Sequence, residues 1–165
     1  MAHWLSGSSG WLTGLLLATL ALIHHYYQET SMLTTEDQLA LHQLISLYGH
    51  IIDERQFSRS HELFTHDVRY DVTDFNAGVH VGIDAIVGLW KATDRHPLAH
   101  HATNIIVTQD ADGTTRVVSK GIGVLPDGKA GTTVYKDIVV KTSQGWRIKD
   151  RVALRRSPEK IPVPS

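Results

Sequence analysis

The run "HHATNIIVTQ" (residues 100–109) opens a series of four β-rich segments that decides the fold class. The other three are "TTRVVSKGIGVL" (114–125), "GTTVYKDIVVKT" (131–142) and "GWRIKDRVALRR" (145–156). They are separated by "DADG", "PDGKAG" and "SQG", each of which has a glycine that can supply the positive φ of a tight turn. Short turns between β-rich segments predict an antiparallel sheet built from consecutive hairpins.

A long amphipathic helix is predicted over residues 34–56. The segment opens with Thr35-x-x-Gln38, which is the spacing of a capping box. Its apolar side chains then recur at helical spacing and form one stripe, which comprises Leu41, Leu44, Ile45, Tyr48, Ile51 and Ile52. A helix of this kind buries its stripe against a neighbouring element.

Three shorter elements are predicted between this helix and the β-rich series. The segment "SRSHELF" (58–64) indicates a short helix capped by Ser58 or Ser60. "DVRYDVTDF" (67–75) alternates as a strand, and "GIDAIVGLWKAT" (82–93) has apolar residues at helical spacing. Helices followed by hairpin-connected strands predict an α+β domain, in which a curved antiparallel sheet wraps around the N-terminal helices. Such a sheet leaves a pocket between its concave face and the helices.

The composition limits the classes of function. At 165 residues the chain fits one domain that can bury a core without cross-links. Cysteine is absent, so this chain has no disulfide or thiolate chemistry. Lys+Arg number 16 and Asp+Glu 17, with no basic run of the kind that grips a phosphate backbone, and nucleic acid is therefore not an expected partner. The 11 histidines could serve as acid–base catalysts, metal ligands or surface residues.

Residues 1–31 differ from the rest of the chain. They contain no Lys, Arg or Asp, and their apolar run "LLLATLALI" is shorter than a bilayer-spanning helix requires, so no stable membrane span is expected. The start lacks the basic residues and the clear A-x-A motif of a secretory signal. We interpret residues 1–31 as an apolar extension, either an upstream translated segment or a tag, residues 32–157 as the domain and residues 158–165 as a proline-rich tail. A signal, a membrane anchor or an accessory helix is the alternative for residues 1–31, and a cytoplasmic location is expected unless they direct export or membrane association.

The adjacent pair His100 and His101 stands at the entrance of the first β-rich segment. Neighbouring side chains of an extended strand point to opposite faces, so only one ring of the pair can face a given cavity. The sequence alone leaves open which ring that is. It argues against one metal bound by both rings, although a site formed by His96 and His100 with a carboxylate is an alternative. No serine lies in a glycine-flanked elbow turn, which argues against a Ser/His/Asp triad.

Two residues near the end of the long helix are further candidates. Asp53 points away from the centre of the apolar stripe and sits at a helix end where the macrodipole disfavours negative charge, which is typical of a solvated acid. Tyr48 lies on the stripe, so its ring is expected to be buried and its hydroxyl to need a partner or an opening to a pocket.

The order of these elements resembles the SnoaL-like branch of the nuclear-transport-factor-like superfamily. The resemblance spans roughly residues 33–157 and rests on four features: an acidic residue after the first helix, the phrase "LFTHDV" (63–68), a histidine in an H-x-x-x-N setting and the ending "GWRI" (145–148). It implies a cone-shaped, cystatin-like α+β barrel. The closest functional analogies are scytalone dehydratase, bile acid 7α-dehydratase and hexachlorocyclohexane dehydrochlorinase, which use neither a metal nor an organic cofactor.

The resemblance also implies three catalytic residues. The family histidine opens its strand as H-x-[GA], which matches His100 followed by His101 and Ala102. The family aspartate after the first helix matches Asp53, and Tyr48 stands five residues before it, as in the bile acid dehydratase. In the implied mechanism His100 removes a proton from carbon, Asp53 orients it, and Tyr48 assists at an oxyanion or a leaving hydroxyl.

The function implied by the resemblance is a cofactor-independent dehydratase or related lyase acting on a small hydrophobic cyclic substrate. The residues expected to bind that substrate are Phe57, Phe75, Trp90 and Ile106. A polyketide cyclase, an isomerase and a non-catalytic ligand-binding or dimerisation module are alternatives on the same fold. An epoxide hydrolase would need an Asp/Arg/Asp constellation, for which the sequence offers Arg69, Asp71, Asp137 and Arg151. A homodimer or a higher homo-oligomer is also expected, as is common in the superfamily.

Overall fold

The computed structural model of the chain describes residues 33–93 and 96–160. The interpretation of residues 1–31 as an extension therefore concerns residues outside the described part. Of the proline-rich tail, Pro158–Lys160 forms a short 3-10 helix, and the remainder also lies outside the described residues.

Helix α1 (Thr35–Asp53) begins one residue earlier than the capping-box prediction. The N-cap is Thr34, whose hydroxyl accepts a hydrogen bond from the Asp37 backbone N–H at 3.1 Å, while the Asp37 carboxylate accepts from the Thr34 backbone N–H at 3.4 Å. The predicted pair of Thr35 and Gln38 is wrong because Asp37 provides the reciprocal acceptor in place of a Glu or Gln. Asp37 also accepts from Lys141 at 2.7 Å and from the Trp146 indole at 2.9 Å, which ties the start of α1 to the sheet.

The segment after α1 forms a 3-10 helix, Phe57–Glu62, rather than a helix capped by a serine. Its N-cap is Gln56, which makes no side-chain cap hydrogen bond, and the Ser60 hydroxyl instead donates to the Phe57 carbonyl at 2.8 Å. Helix α2, Ile83–Ala92, follows the prediction for this segment and buries Ile86 and Trp90.

Six strands form one curved sheet in the order β2-β1-β6-β5-β4-β3. Their bounds are β1 Phe64–Asp71, β2 Val79–Val81, β3 Ala99–Gln109, β4 Thr115–Val124, β5 Ala130–Thr142 and β6 Gly145–Arg155. The α+β prediction is confirmed, and so are the four C-terminal strands. Their turns contain glycines at positive φ, for example Gly113 and Gly128.

The sheet is mixed, whereas the sequence predicts an antiparallel one. Strands β3 to β6 form antiparallel hairpins, but β1 pairs with β6 in parallel, with Tyr70 opposite Arg151. Strand β6 is the last of the four antiparallel strands, so one of its edges is free. Strand β1 pairs with that edge and runs in the same direction as β6. A connection through helices and strands permits parallel pairing, which a tight hairpin turn does not.

The hydrophobic core lies between the concave face of this sheet and the apolar stripe of α1. Every stripe residue predicted from the sequence is buried, namely Leu41, Leu44, Ile45, Tyr48, Ile51 and Ile52. Burial of this stripe fixes the rotation of α1 about its axis, and hence the direction in which the residues at its C-terminal end point. Within the described ranges, no helix combines the length and apolar character needed to cross a bilayer.

Candidate active site

The end of α1 meets the start of β3 through Asp53 and His100. One oxygen of the Asp53 carboxylate lies 2.6 Å from His100 Nδ1, and the other accepts the His100 backbone N–H at 2.8 Å. Both side chains are largely buried, with 13% of His100 and 20% of Asp53 exposed. Because an ionised carboxylate only accepts hydrogen bonds, this contact places the ring proton on Nδ1 and leaves Nε2 as the nitrogen with a free lone pair.

Asp53 does not lie in solvent as the helix-end position suggests. The stripe of α1 faces the sheet, and the final turn carries Asp53 over the edge of the core to the strand that begins with His100. The two N–H groups of His100 offset the unfavourable helix-end position of the carboxylate.

A glycine allows α1 to approach β3 this closely. A Cβ atom added to Gly49 would lie 2.4 Å from the backbone oxygen of His100, which is closer than real Cβ contacts occur. Gly49 is one turn before Asp53 in α1, so the absence of its side chain permits the contact that joins Asp53 to His100.

Tyr48 lies beside this pair. Its ring packs edge-on against the His100 ring, with centroids 6.0 Å apart, and its hydroxyl is 3.0 Å from the hydroxyl of Tyr70. Burial raises the pKa of Tyr48 well above its ordinary value. The residue therefore stays a neutral phenol that can donate a hydrogen bond.

The buried guanidinium of Arg151 packs against the rings of Tyr48 and Tyr135. The Arg151 guanidinium lies 4.4 Å from the ring centroid of Tyr48 and 4.6 Å from that of Tyr135. It forms two hydrogen bonds of 2.7 Å to Asp137. Burial alone would lower the pKa of Arg151, but the Asp137 carboxylate more than offsets this and holds it above the ordinary value.

Sequence reasoning assigned no site role to Tyr70 or Tyr135. Both face the concave side of the sheet by strand alternation, and that inward position was the signal available in the sequence. The four residues considered for an epoxide-hydrolase constellation form two separate clusters. Arg69 binds Asp71 at 2.7 Å in a partly exposed position, whereas Arg151 and Asp137 pair in the core.

A cavity of about 690 Å³ lies between α2, the sheet and the segment after β6. Tyr48, His100, Phe75 and Trp90 line it. Phe57 contacts the Trp90 ring, with centroids 5.7 Å apart, but does not itself line the cavity. The volume is in the range of sites that hold small organic ligands.

Ile106 is not a cavity wall, and the prediction for this residue is wrong. Its side chain is 62% exposed, because β3 contains a bulge. Thr103 pairs with Lys120 and Ile106 with Val118, so that two residues of β3 oppose the single residue between those partners. Asn104 adopts a left-handed conformation there, with φ of 50°. One extra residue inverts the alternation, so His100 and Ile106 point to opposite faces although their positions differ by an even number.

A second histidine approaches the pair. The His96 ring lines the same cavity, and its centroid is 5.0 Å from that of His100. Burial lowers the pKa of His96 below its ordinary value, and the neighbouring His100 adds to this. In the described part of the chain, His96 and His100 belong to no group of three or more His, Cys, Asp or Glu side chains that could hold a metal ion.

Solved structures share this architecture. The chain is similar to a candidate aromatic ring hydroxylase from Novosphingobium aromaticivorans, with 26% identity over 77% of this chain and 94% of that one and a TM-score of 0.61. A candidate scytalone dehydratase from the same organism is 20% identical over 75% and 89% of the two chains, with a TM-score of 0.57. A protein with a cystatin-like fold from Nostoc punctiforme is 20% identical over 76% and 96%, with a TM-score of 0.63. The last two likenesses show the fold alone.

No curated protein matches the sequence. Residues 33–152 match the family model described as a SnoaL-like domain, which spans nearly all of the sheet and both α-helices described above. The chain therefore belongs to the SnoaL-like family.

Proposed function

We propose that this protein is a cofactor-independent acid–base enzyme, a dehydratase-type lyase that acts on a small hydrophobic cyclic substrate. The observation that carries the proposal is the double hydrogen bond from His100 to Asp53 at the wall of the cavity. A histidine held by a carboxylate at Nδ1 has a defined orientation, and its Nε2 can accept a proton.

In the proposed reaction, Nε2 of His100 removes a proton from the carbon next to a carbonyl group. The electron pair of that C–H bond forms a carbon–carbon double bond, and the bond from the β-carbon to its hydroxyl group breaks. The leaving hydroxyl takes a proton from the His100 imidazolium, or from Tyr48, which then regains one from His100, and it departs as water. Asp53 stabilises the imidazolium ion formed on His100, because its carboxylate lies 2.6 Å from Nδ1.

Tyr48 supplies the hydrogen-bond donor for this reaction. Its neutral phenol is adjacent to His100 and can bind the developing enolate oxygen or protonate the leaving hydroxyl. The contact with Tyr70 holds the Tyr48 hydroxyl in one position, which reduces the reorganisation needed when charge develops.

The apolar walls of the cavity support the proposed class of substrate. Phe75, Leu89, Trp90 and Leu125 line it, so a ring system can be buried beside the polar end formed by Tyr48 and His100. Burial of the substrate also excludes water from the reacting carbon, which strengthens the electrostatic contacts there.

A turnover assay with a matched histidine control tests the proposal. Alicyclic β-hydroxy-carbonyl compounds are screened for the ultraviolet absorbance of the conjugated product, and the best compound is compared across variants. His100→Gln is expected to reduce kcat/KM by about 10²–10⁴-fold, the usual contribution of a positioned general base. Asp53→Asn should also reduce it, because an amide has one acceptor oxygen for the two N–H groups of His100 and no charge to stabilise the imidazolium.

The control is His101→Gln, which changes the neighbouring exposed residue and should retain full activity. Undiminished turnover by a folded His100→Gln variant would show that His100 is not the base. If no compound is turned over although the cavity binds several of them, the protein is a ligand-binding module and the enzyme proposal is wrong.

A further inference from the structure

Two arginines border the cavity away from the His100 and Asp53 pair. Arg155 is the last residue of β6, and Arg156 follows it; both line the cavity. Arg155 has the same strand parity as Arg151 and Ala153, which are buried on the concave side, so it continues the inward face of β6 at its exposed end.

The strand register places Arg155 far from the catalytic end. Ala102 pairs with Gly121, Gly121 with Thr133, and Thr133 with Arg155, so three strand spacings separate β3 from Arg155. Neighbouring strands lie about 4.8 Å apart, which gives roughly 14 Å along the curved sheet. The straight path across the concave face is shorter than this, so a ligand with fused rings can extend from the end of the cavity near His100 towards the arginines.

The acidic groups near these arginines are already engaged. Asp74 accepts from Lys160 at 2.7 Å and from the Arg155 backbone N–H at 2.9 Å, and Glu159 accepts from the Ser157 hydroxyl. Within residues 33–93 and 96–160, neither the Arg155 nor the Arg156 guanidinium has a hydrogen-bonded carboxylate, and Arg155 interacts with Asp74 and Glu159 only through longer-range electrostatics. The rim of the cavity therefore presents two arginine side chains beside an apolar interior.

We propose that Arg155 and Arg156 form a subsite for a carboxylate or similar acidic group on the ligand, whose apolar body fills the cavity. The inference rests on the proposed function only in placing the ligand in the same cavity. A guanidinium suits this task because it offers paired N–H donors that match the two oxygens of an acidic group. An acidic group at the rim would also fix which carbon of the ring system lies next to His100.

A pair of fluorescent probes that differ mainly in charge tests this subsite. The anionic probe is 8-anilino-1-naphthalenesulfonate, and the neutral one is N-phenyl-1-naphthylamine, which has the same aromatic skeleton. Arg155→Gln and Arg156→Gln should each raise the Kd of the anionic probe about three-fold, and the double variant about ten-fold, as for partly exposed charge pairs. The Kd of the neutral probe should remain unchanged, and the two probes should compete.

The matched control is Arg116→Gln, which removes one exposed arginine on the outer face of β4 and should leave both Kd values unchanged. Equal weakening of both probes would mean that the arginines only support the cavity structurally, and a change below two-fold for the anionic probe would mean that they do not contact its acid group. Either result overturns the subsite. It is also overturned if Arg116→Gln weakens the anionic probe as much as the other variants do, or if both probes bind without competing. The readout is binding, so a failure here is distinct from loss of turnover in His100→Gln.

Discussion

The environment of Asp53 in the folded protein differs from the one that its position in the sequence suggests. At the C-terminal end of a helix a carboxylate is disfavoured by the helix dipole, and in isolation Asp53 is a surface acid. In the folded protein it accepts two N–H groups from a single residue, His100. Charge-assisted hydrogen bonds of this kind are stronger than neutral ones, so they offset the unfavourable position and hold the imidazole in one orientation.

The buried His96 ring is expected to make the free energy of unfolding depend on pH. Its pKa is lowered in the folded state from the ordinary 6.5, first by burial, then by His100 and more weakly by Arg55, while the Pro97 carbonyl and, more weakly, Asp53 act in the opposite direction. The unfolded chain therefore binds more protons at His96 than the folded chain as the pH falls through the range below about 6.5, and the free energy of unfolding decreases there. His96→Gln should reduce this decrease, measured by urea denaturation at pH 7 and pH 5.

The control for this titration is His101→Gln, whose ring is exposed, and it should keep the wild-type difference between the two pH values. If the His96→Gln variant loses as much stability between pH 7 and pH 5 as the wild type, the burial of His96 does not control the acid sensitivity.

At the scale of secondary structure, the contact between α1 and β3 is the feature that creates the site. Gly49→Ala places a Cβ atom 2.4 Å from the His100 carbonyl oxygen, so the helix must move away from the strand. Overpacking of this kind costs about 1–3 kcal/mol. We expect that loss in the free energy of unfolding, together with reduced turnover, because the movement separates Asp53 from His100.

Gly88→Ala is the matched control. Gly88 is a helical residue of α2 with open space around its Cβ position, so the same substitution should leave stability unchanged or increase it by about 0.5–1 kcal/mol. If the two substitutions change the free energy of unfolding equally in urea denaturation, Gly49 is not the position that allows α1 to bring Asp53 to His100.

The core of the whole molecule and the wall of the cavity share the same residues. Tyr48, Tyr135 and Trp90 are buried and also line the cavity, and the Arg151 guanidinium packs against the rings of both tyrosines. Stability and the shape of the site therefore depend on a single cluster, which limits the substitutions that the site can accept.

The Arg151 and Asp137 pair should contribute to global stability much more than a surface pair. Arg151→Met leaves the buried carboxylate without its partner, which costs about 3–5 kcal/mol in the free energy of unfolding. Arg116→Met breaks the exposed pair with Asp110, where the cost is about 0–1 kcal/mol. Urea denaturation measures both, and similar losses in the two variants would rule out the proposed role of the buried pair.

The sequence by itself determined the local elements of this protein. The apolar stripe of α1, the alternating strands and the glycine turns are periodic patterns of neighbouring residues. They predicted both α-helices, β1 and the four C-terminal strands in order, with the start of α1 displaced by one residue, but they did not predict the short strand β2. The resemblance to a known family added His100, Asp53 and Tyr48 as candidates, but it did not provide their distances.

Only the tertiary structure decided which of these residues meet. Asp53 and His100 are 47 positions apart, and their contact depends on how the whole stripe of α1 packs against the sheet. The bulge at Asn104 inverted the expected faces of β3 and moved Ile106 to the outside, because a single extra residue changes the parity of every side chain beyond it. Periodicity describes neighbours along the chain, whereas the site depends on close approaches such as that of Gly49 to His100, which exist only after packing.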